Sequence, residues 1–149
     1  IYSLLLEERA REVEGSTLKI VSLGSGAAVP NIQATEAIEK IGKRVDWTFY
    51  DLDPEALERA QEMISDSAIR DSSFDYGPKN SPQVKEQSGS TYTGRSYLAA
   101  REVPDASLDA VDALGLWEYL KGNQAVTFLK TLYPKLKPGA TMIVSNMLN

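Results

Sequence analysis

Short, dense apolar runs alternate with amphipathic stretches along most of this chain. Leu18-Lys19-Ile20-Val21-Ser22-Leu23 is nearly all apolar, as a strand buried on both faces of a parallel sheet should be. Val45 to Tyr50, Ser107 to Leu114 and Ala140 to Ser145 repeat the pattern and predict a second, a fourth and a fifth strand. Helical periods separate them. Ile1 to Val13 reads as a helix, with Leu4, Leu5 and Leu6 beside the charged stretch Glu7-Glu8-Arg9, and Gly15-Ser16 ends it. A second helix has Pro30 in its first turn, an apolar face of Ala34, Ala37, Ile38 and Ile41, and Gly42 at its end. Asp53 reads as the N-cap of a third helix and Pro54 as its first residue, with Ala56, Leu57, Ala60 and Met63 on the packed face. Gly122-Asn123 opens another helix through Val126, Phe128, Leu129 and Leu132, and Pro134 truncates or kinks it. Lys137-Pro138-Gly139 reads as a turn before the fifth strand.

The stretch 70–95 carries loop compositions, Gly77-Pro78-Lys79-Asn80-Ser81-Pro82 and Ser88-Gly89-Ser90. A third strand belongs there, and two segments compete for it: Ser90 to Tyr97 and Ser72 to Tyr76. The alternation of strands and helices predicts an α/β fold, a doubly wound parallel sheet with helices on both faces. Right-handed crossovers with a switch after the first strand give the order 3-2-1-4-5 and a ligand crevice at the switch. The 149 residues fit one domain, 1–149.

Candidate chemistry concentrates where two predicted strands end. The first strand breaks into Gly24-Ser25-Gly26, where glycines let backbone N–H groups approach a ligand closely. The second ends in Tyr50-Asp51-Leu52-Asp53-Pro54, and Asp51 lies 25 residues after Gly26. An acid at that strand tip is placed to accept hydrogen bonds from ribose hydroxyls, the layout of a nucleoside-binding domain. Asp53 is better explained as a helix cap. As a strand-tip acid outside the core, Asp51 is expected to matter little for stability. A tight strand-to-helix turn without a ligand is the competing reading of the glycines. A dinucleotide fingerprint fails at its last position, since Gly24-Ser25-Gly26-Ala27-Ala28-Val29 ends in valine where a third small residue packs helix on strand.

Composition removes several alternatives. Apolar residues make up 42% and charged residues 25% of the chain, ordinary for a globular protein. A net charge of −5 without a basic run disfavours nonspecific binding to nucleic acid. With no cysteine and no histidine, disulfides, thiolate or imidazole metal sites, a cysteine nucleophile and serine–histidine catalysis are excluded. No apolar run approaches the ~20 residues of a membrane helix, and no signal peptide is evident, so a cytoplasmic location is the default expectation. The chain starts at Ile1 rather than Met, as a piece cut from something longer would.

Three later segments, in order, resemble the second half of class I S-adenosylmethionine-dependent methyltransferases. They are Val103-Pro104-Asp105-Ala106-Ser107-Leu108-Asp109-Ala110-Val111, then Leu114-Gly115-Leu116-Trp117-Glu118-Tyr119-Leu120, then Leu136-Lys137-Pro138-Gly139-Ala140. With the glycine turn, the resemblance covers residues 15 to 149. It implies S-adenosylmethionine as cofactor and methyl transfer to a small-molecule acceptor. Gly24, Ser25 and Gly26 would lie against its methionine part, Asp51 would take the ribose hydroxyls, Leu52 would pack on the adenine, and Ala113 and Leu114 would lie near the sulfonium. The chain departs from the family in three places. Ser96-Tyr97-Leu98-Ala99-Ala100 lacks the acid that often contacts the adenine amine. Tyr119 replaces a histidine. The family's C-terminal antiparallel hairpin would come after Asn149, the last residue of this sequence, and is expected to be absent from this piece. The alternative is a non-catalytic Rossmann-like domain used for binding or scaffolding.

Residue types narrow the chemistry further. Without cysteine there is no cysteine attack on a pyrimidine ring, which disfavours cytosine-C5 methylation; without N/D-P-P-Y after strand four, exocyclic amine methylation of adenine or glutamine is disfavoured. Leu114 stands where metal-dependent relatives place an Asp, so no metal is expected. Asp112 interrupts an apolar strand, which is costly unless the acid is paired. It reads as a carboxylate near the methionine amine or the acceptor, as a partner for a lysine or arginine, or as a position exposed by an absent neighbouring segment. Trp117 and Tyr119 read as an acceptor pocket or as core. An uncovered, apolar fifth strand invites pairing, either with the remainder of a longer chain or with a second copy in a homo-oligomer.

Overall fold

The computed structural model describes residues 1–26, 28–51, 53–77, 100–114, 120 and 122–145. Five strands form one wholly parallel sheet in the order β3-β2-β1-β4-β5: β1 (Thr17–Leu23), β2 (Arg44–Tyr50), β3 (Ser73–Gly77), β4 (Leu108–Ala113) and β5 (Leu136–Val144). The helices are α1 (Tyr2–Glu12), α2 (Val29–Lys40), α3 (Pro54–Ser65) and α4 (Gly122–Leu132), the last followed by a 3₁₀ turn, Tyr133–Lys135, at Pro134. The sheet grows from β1 outward to β3, then resumes on the other side of β1 with β4. That reversal is the switch point beyond which doubly wound folds place a ligand crevice, outside the carboxyl ends of β1 and β4.

Alternating side chains divide the core between two faces of the sheet. On one face, Leu18 and Ile20 of β1 and Val45, Trp47 and Phe49 of β2 meet Leu6 and Ala10 of α1, Ala34 and Ile38 of α2 and Ala60 of α3. On the other, Val21, Leu23, Tyr50, Leu108, Val111 and Ala113 meet Ala100, Val103 and, from α4, Phe128 and Leu132. Each fully buried large apolar side chain contributes roughly 1.5–3 kcal/mol. Phe49 also packs on Trp47, Phe74 and Tyr76 with ring centroids 5.4, 5.6 and 5.9 Å apart.

The expected strand order and the helices on both faces are present. The third strand is the earlier of the two competing segments, and the Ser90 to Tyr97 alternative lies outside the described residues. Its start is pinned by Glu39 of α2, whose carboxylate accepts from the backbone N–H groups of Arg70, Asp71 and Ser72 and from the Ser72 hydroxyl. Lys137-Pro138-Gly139 is not a turn before β5 but an excursion within it. Leu136 already pairs with Leu108, the register shifts, and pairing resumes at Thr141 opposite Ala110. Two expected packing residues lie further out than their periodicity suggests: Ile41 follows the end of α2 and Met63 sits on α3, 37% and 41% exposed. Among the described residues no helix is long and apolar enough to cross a membrane.

The opposite end of the sheet is locked by charge. Asp109, at the start of β4 and 1% exposed, meets Arg9 of α1 at 3.5 Å and Lys137 of the β5 excursion at 3.2 Å, and accepts from the backbone N–H of Lys19. One buried acid thus ties together α1, β1, β4 and β5. Breaking one partner of such a cluster leaves a buried charge uncompensated.

Candidate functional site

Beyond Leu23 the backbone turns through three residues with left-handed φ: Gly24 at 64°, Gly26 at 57° and Ala28 at 62°. Left-handed backbone costs an L-residue roughly 1–2 kcal/mol, so glycine is the natural occupant and Ala28 is strained. Ala28 is the N-cap of α2, and its N–H reaches the Ser25 carbonyl at 3.1 Å. The Gly24 N–H donates to the Tyr50 carbonyl at 2.7 Å, which fastens the turn to the tip of β2.

Asp51 follows Tyr50 directly and completes the fastening. Its Oδ2 accepts from the Gly26 N–H at 3.0 Å and its Oδ1 from the Asp53 N–H at 3.0 Å. Asp53 caps α3 through the Glu55 N–H, as expected from the sequence. Burial pushes the Asp51 carboxyl above its ordinary value, and the two backbone N–H bonds hold that rise back. At 6% exposure Asp51 is buried rather than outside the core, contrary to the expectation. A carboxylate has about four acceptor positions, so two bonds leave capacity for ligand hydroxyls.

Two further observations bear on what this turn can hold. The Ser25 hydroxyl oxygen is buried and has no hydrogen-bond partner among the described residues, and buried polar groups are normally satisfied. Among the described residues, a Cβ built on Gly26 meets nothing within 4 Å. Gly24, Ser25, Gly26 and Asp51 are therefore brought together, as expected. Ser22 pairs with Asp112 across β1 and β4, so Ala113, the last residue of β4, and Leu114 after it lie level with the glycine turn. Ala113 is buried, while Leu114 is partly buried and accepts from the Ser145 hydroxyl. Leu52, Trp117 and Tyr119 lie outside the described residues, as does Ser96 to Ala99, where the adenine-contacting acid is missing.

Asp112 departs from two of its three expectations, an exposed position and a cationic partner. It is 2% exposed, and among the described residues no lysine or arginine meets it. Its partners are neutral donors: Ser22 Oγ at 2.6 Å, Tyr2 Oη at 2.6 Å and Asn31 Nδ2 at 3.1 Å. Burial raises its pKa to about 6, against the opposing pull of those hydrogen bonds. Burial, with Asp112 beside it, also drives the Tyr2 hydroxyl far above its ordinary value. Tyr2, Ser22 and Asn31 escaped sequence reasoning. The available signal was a polar residue at each of three positions that periodicity assigns to the core.

Tyr50 is a second omission. A Cβ on Gly77 would lie 2.7 Å from the Tyr50 ring, so that ring presses flat against the end of β3. Its hydroxyl donates to Glu102 at 2.8 Å. Burial, then the bond to Glu102, raises the Tyr50 hydroxyl well above its ordinary pKa, so it stays a protonated donor.

No family model and no curated protein matches the sequence. Solved structures do. A methyltransferase from Thiobacillus denitrificans, dependent on S-adenosylmethionine and in complex with S-adenosyl-L-homocysteine, is 18% identical, with a TM-score of 0.55 over 95% of this chain and 46% of its own. One from Geobacter sulfurreducens, also with S-adenosyl-L-homocysteine, is 15% identical, with a TM-score of 0.59 over 96% and 46%. The CMeT domain of citrinin polyketide synthase is 14% identical, with a TM-score of 0.63 over 95% and 32%. The chain thus spans about half or less of each. With its strand order and its glycine turn at the switch point, it has the class I, Rossmann-like fold of the S-adenosylmethionine-dependent methyltransferases.

Proposed function

We propose that this chain binds S-adenosylmethionine in the crevice at the ends of β1, β2 and β4 and serves methyl transfer to a small-molecule acceptor. The observation that carries the reading is the orphaned Ser25 hydroxyl beside the open face of Gly26, in a turn already fastened to Asp51. Gly24, Ser25 and Gly26 would hold the methionine part, Asp51 the ribose, and Leu52 the adenine. Ala113 and Leu114 would line the approach to the sulfonium. When bound, the cofactor supplies a methyl group on a positively charged sulfur, open to in-line attack.

The chain's own task is then chiefly positional. Near-attack placement alone supplies several kcal/mol of a transfer barrier, on the order of 7–11 in the best cases. Backbone N–H groups fixed by the Gly24–Tyr50 and Gly26–Asp51 bonds need no rearrangement to receive a ligand, which lowers the entropy cost of binding. Asp51 carries a negative charge that ribose hydroxyls can approach as donors, the stronger class of hydrogen bond.

Titration calorimetry with S-adenosylmethionine and S-adenosyl-L-homocysteine tests the reading. Saturable one-to-one binding of both supports it. Absence of heat with both, checked by an unchanged thermal midpoint, overturns it. Binding without methyl release to any candidate acceptor favours the alternative of a non-catalytic Rossmann-like domain.

A further inference from the structure

The buried cluster around Asp112 grips both flanks of the glycine turn. Ser22 precedes Gly24 by two residues, and Asn31 follows Ala28 by three. The Asp112 carboxylate takes Ser22 Oγ on Oδ1 and Asn31 Nδ2 on Oδ2, so one rigid group on β4 fixes the chain on either side of residues 24–28. Asn31 is held a second time through its carbonyl, which accepts from Thr35 Oγ1, itself bonded by Trp47 Nε1 at 2.7 Å. Tyr2 closes the cluster from α1. Its hydroxyl donates to Asp112 at 2.6 Å and accepts from Asn31 at 2.9 Å. Four elements, α1, α2, β1 and β4, therefore meet at one carboxylate.

Stability alone does not account for this arrangement. Replacing a buried ionisable cluster by well-packed apolar side chains is often neutral or stabilising. A satisfied polar network instead specifies one geometry, because its directional bonds are lost in any other. The geometry specified here is that of the turn carrying the orphaned Ser25 hydroxyl.

We infer that Asp112 is a positioning residue of the cofactor crevice: acting through Ser22, Asn31 and Tyr2, it holds both flanks of the glycine turn in ligand-ready form, and α1 is the strap that completes the hold. The inference rests on the cofactor reading above. It makes the N-terminal helix part of the binding site without contact to the ligand.

The test uses the full chain, as wild type, Tyr2→Phe and Asp112→Asn. Tyr2→Phe removes one oxygen and keeps the packed ring. Binding of S-adenosyl-L-homocysteine is measured by calorimetry, and amide hydrogen exchange is followed without ligand. Tyr2→Phe is expected to weaken binding about five- to tenfold, the effect of one lost hydrogen bond. Exchange should speed up at amides 24–26, 28, 29, 31 and 32 while Ile20, Trp47 and Val111 in the strands stay protected. Asp112→Asn should do the same more strongly. If it does not fold, Tyr2→Phe decides alone. Faster exchange spread evenly over the sheet, with affinity unchanged, overturns the inference and leaves the cofactor reading intact. Wild-type protein that takes up no S-adenosyl-L-homocysteine overturns the cofactor reading and the ligand half of the inference, while the exchange arm still decides whether Asp112 holds the turn.

Discussion

Asp51→Asn separates the two tasks assigned to one side chain. The aspartate accepts the Gly26 and Asp53 N–H groups, one on each oxygen, at 6% exposure. Asparagine has the same shape but one acceptor oxygen, so one of the two N–H groups would face an amide NH₂. A lost hydrogen bond to a charged acceptor costs about 1.5–3 kcal/mol. Part of that is offset, because burial already holds the carboxyl above its ordinary pKa, which shows that the ion is uncomfortable there. The expected net loss of folding stability is about 1–2 kcal/mol. Ligand binding loses a separate quantity, the charged hydrogen bonds to ribose. At about 1.5–3 kcal/mol these amount to a roughly 10- to 150-fold rise in Kd. Urea unfolding measures the first effect and calorimetry with S-adenosyl-L-homocysteine, on protein verified as folded, the second. A destabilised variant with unchanged Kd would show that Asp51 only latches the turn. Unchanged stability would refute the hydrogen-bond argument itself.

Gly26→Ala and Gly42→Ala form a matched pair, since both glycines have left-handed φ, 57° and 84°, and open space at the Cβ. Each should lose about 1–2 kcal/mol in chemical denaturation, but only Gly26→Ala should abolish detectable binding of S-adenosyl-L-homocysteine, because only its methyl group enters the proposed cradle. Asp112 predicts a pH effect of definite sign. Its folded pKa of about 6 lies above the ordinary 3.8, so the folded state holds the proton more tightly. Its contribution is fully present below pH 3.8 and lost as pH rises through about 6, a span of roughly 3 kcal/mol. Urea midpoints across that window should show this slope in wild type and not in Asp112→Asn, and parallel curves would contradict it.

Strand order, the four helices and the glycine turn with its acid were legible because each rests on a short-range signal. Periodicity marks Leu18 to Leu23, a proline and a cap mark Asp53-Pro54, and glycines mark the left-handed positions. The third strand was ambiguous for a physical reason. Ser73–Gly77 is a short edge strand, and what pins it is Glu39, more than 30 residues earlier in the chain. No local pattern encodes that bond. The excursion in β5 was misread for a similar reason. Pro138 and Gly139 carry turn chemistry, but Lys137 is drawn inward by Asp109, so pairing starts before the turn rather than after it. Asp112 was flagged as anomalous, yet its partners were unpredictable. A carboxylate in an apolar strand suggests a cation, and the structure answers with a tyrosine, a serine and an asparagine from three other elements.

The two ends of the sheet treat buried acids differently, and the difference bears on what each end is for. Asp109 is matched by two cations and a backbone N–H. Its charge is neutralised internally, and any ligand would have to displace a protein partner. At the crevice end, Asp51 and Asp112 are met mainly by uncharged donors, and both carboxyls are raised by burial. Hydrogen bonds from neutral groups satisfy geometry but leave net negative charge, which a low-dielectric surrounding screens poorly. That charge destabilises the empty fold and attracts whatever positive group enters. A sulfonium and an ammonium on one ligand are positive groups of this kind. Two acids met by neutral donors at that end would therefore favour a cationic occupant over a neutral one of equal shape.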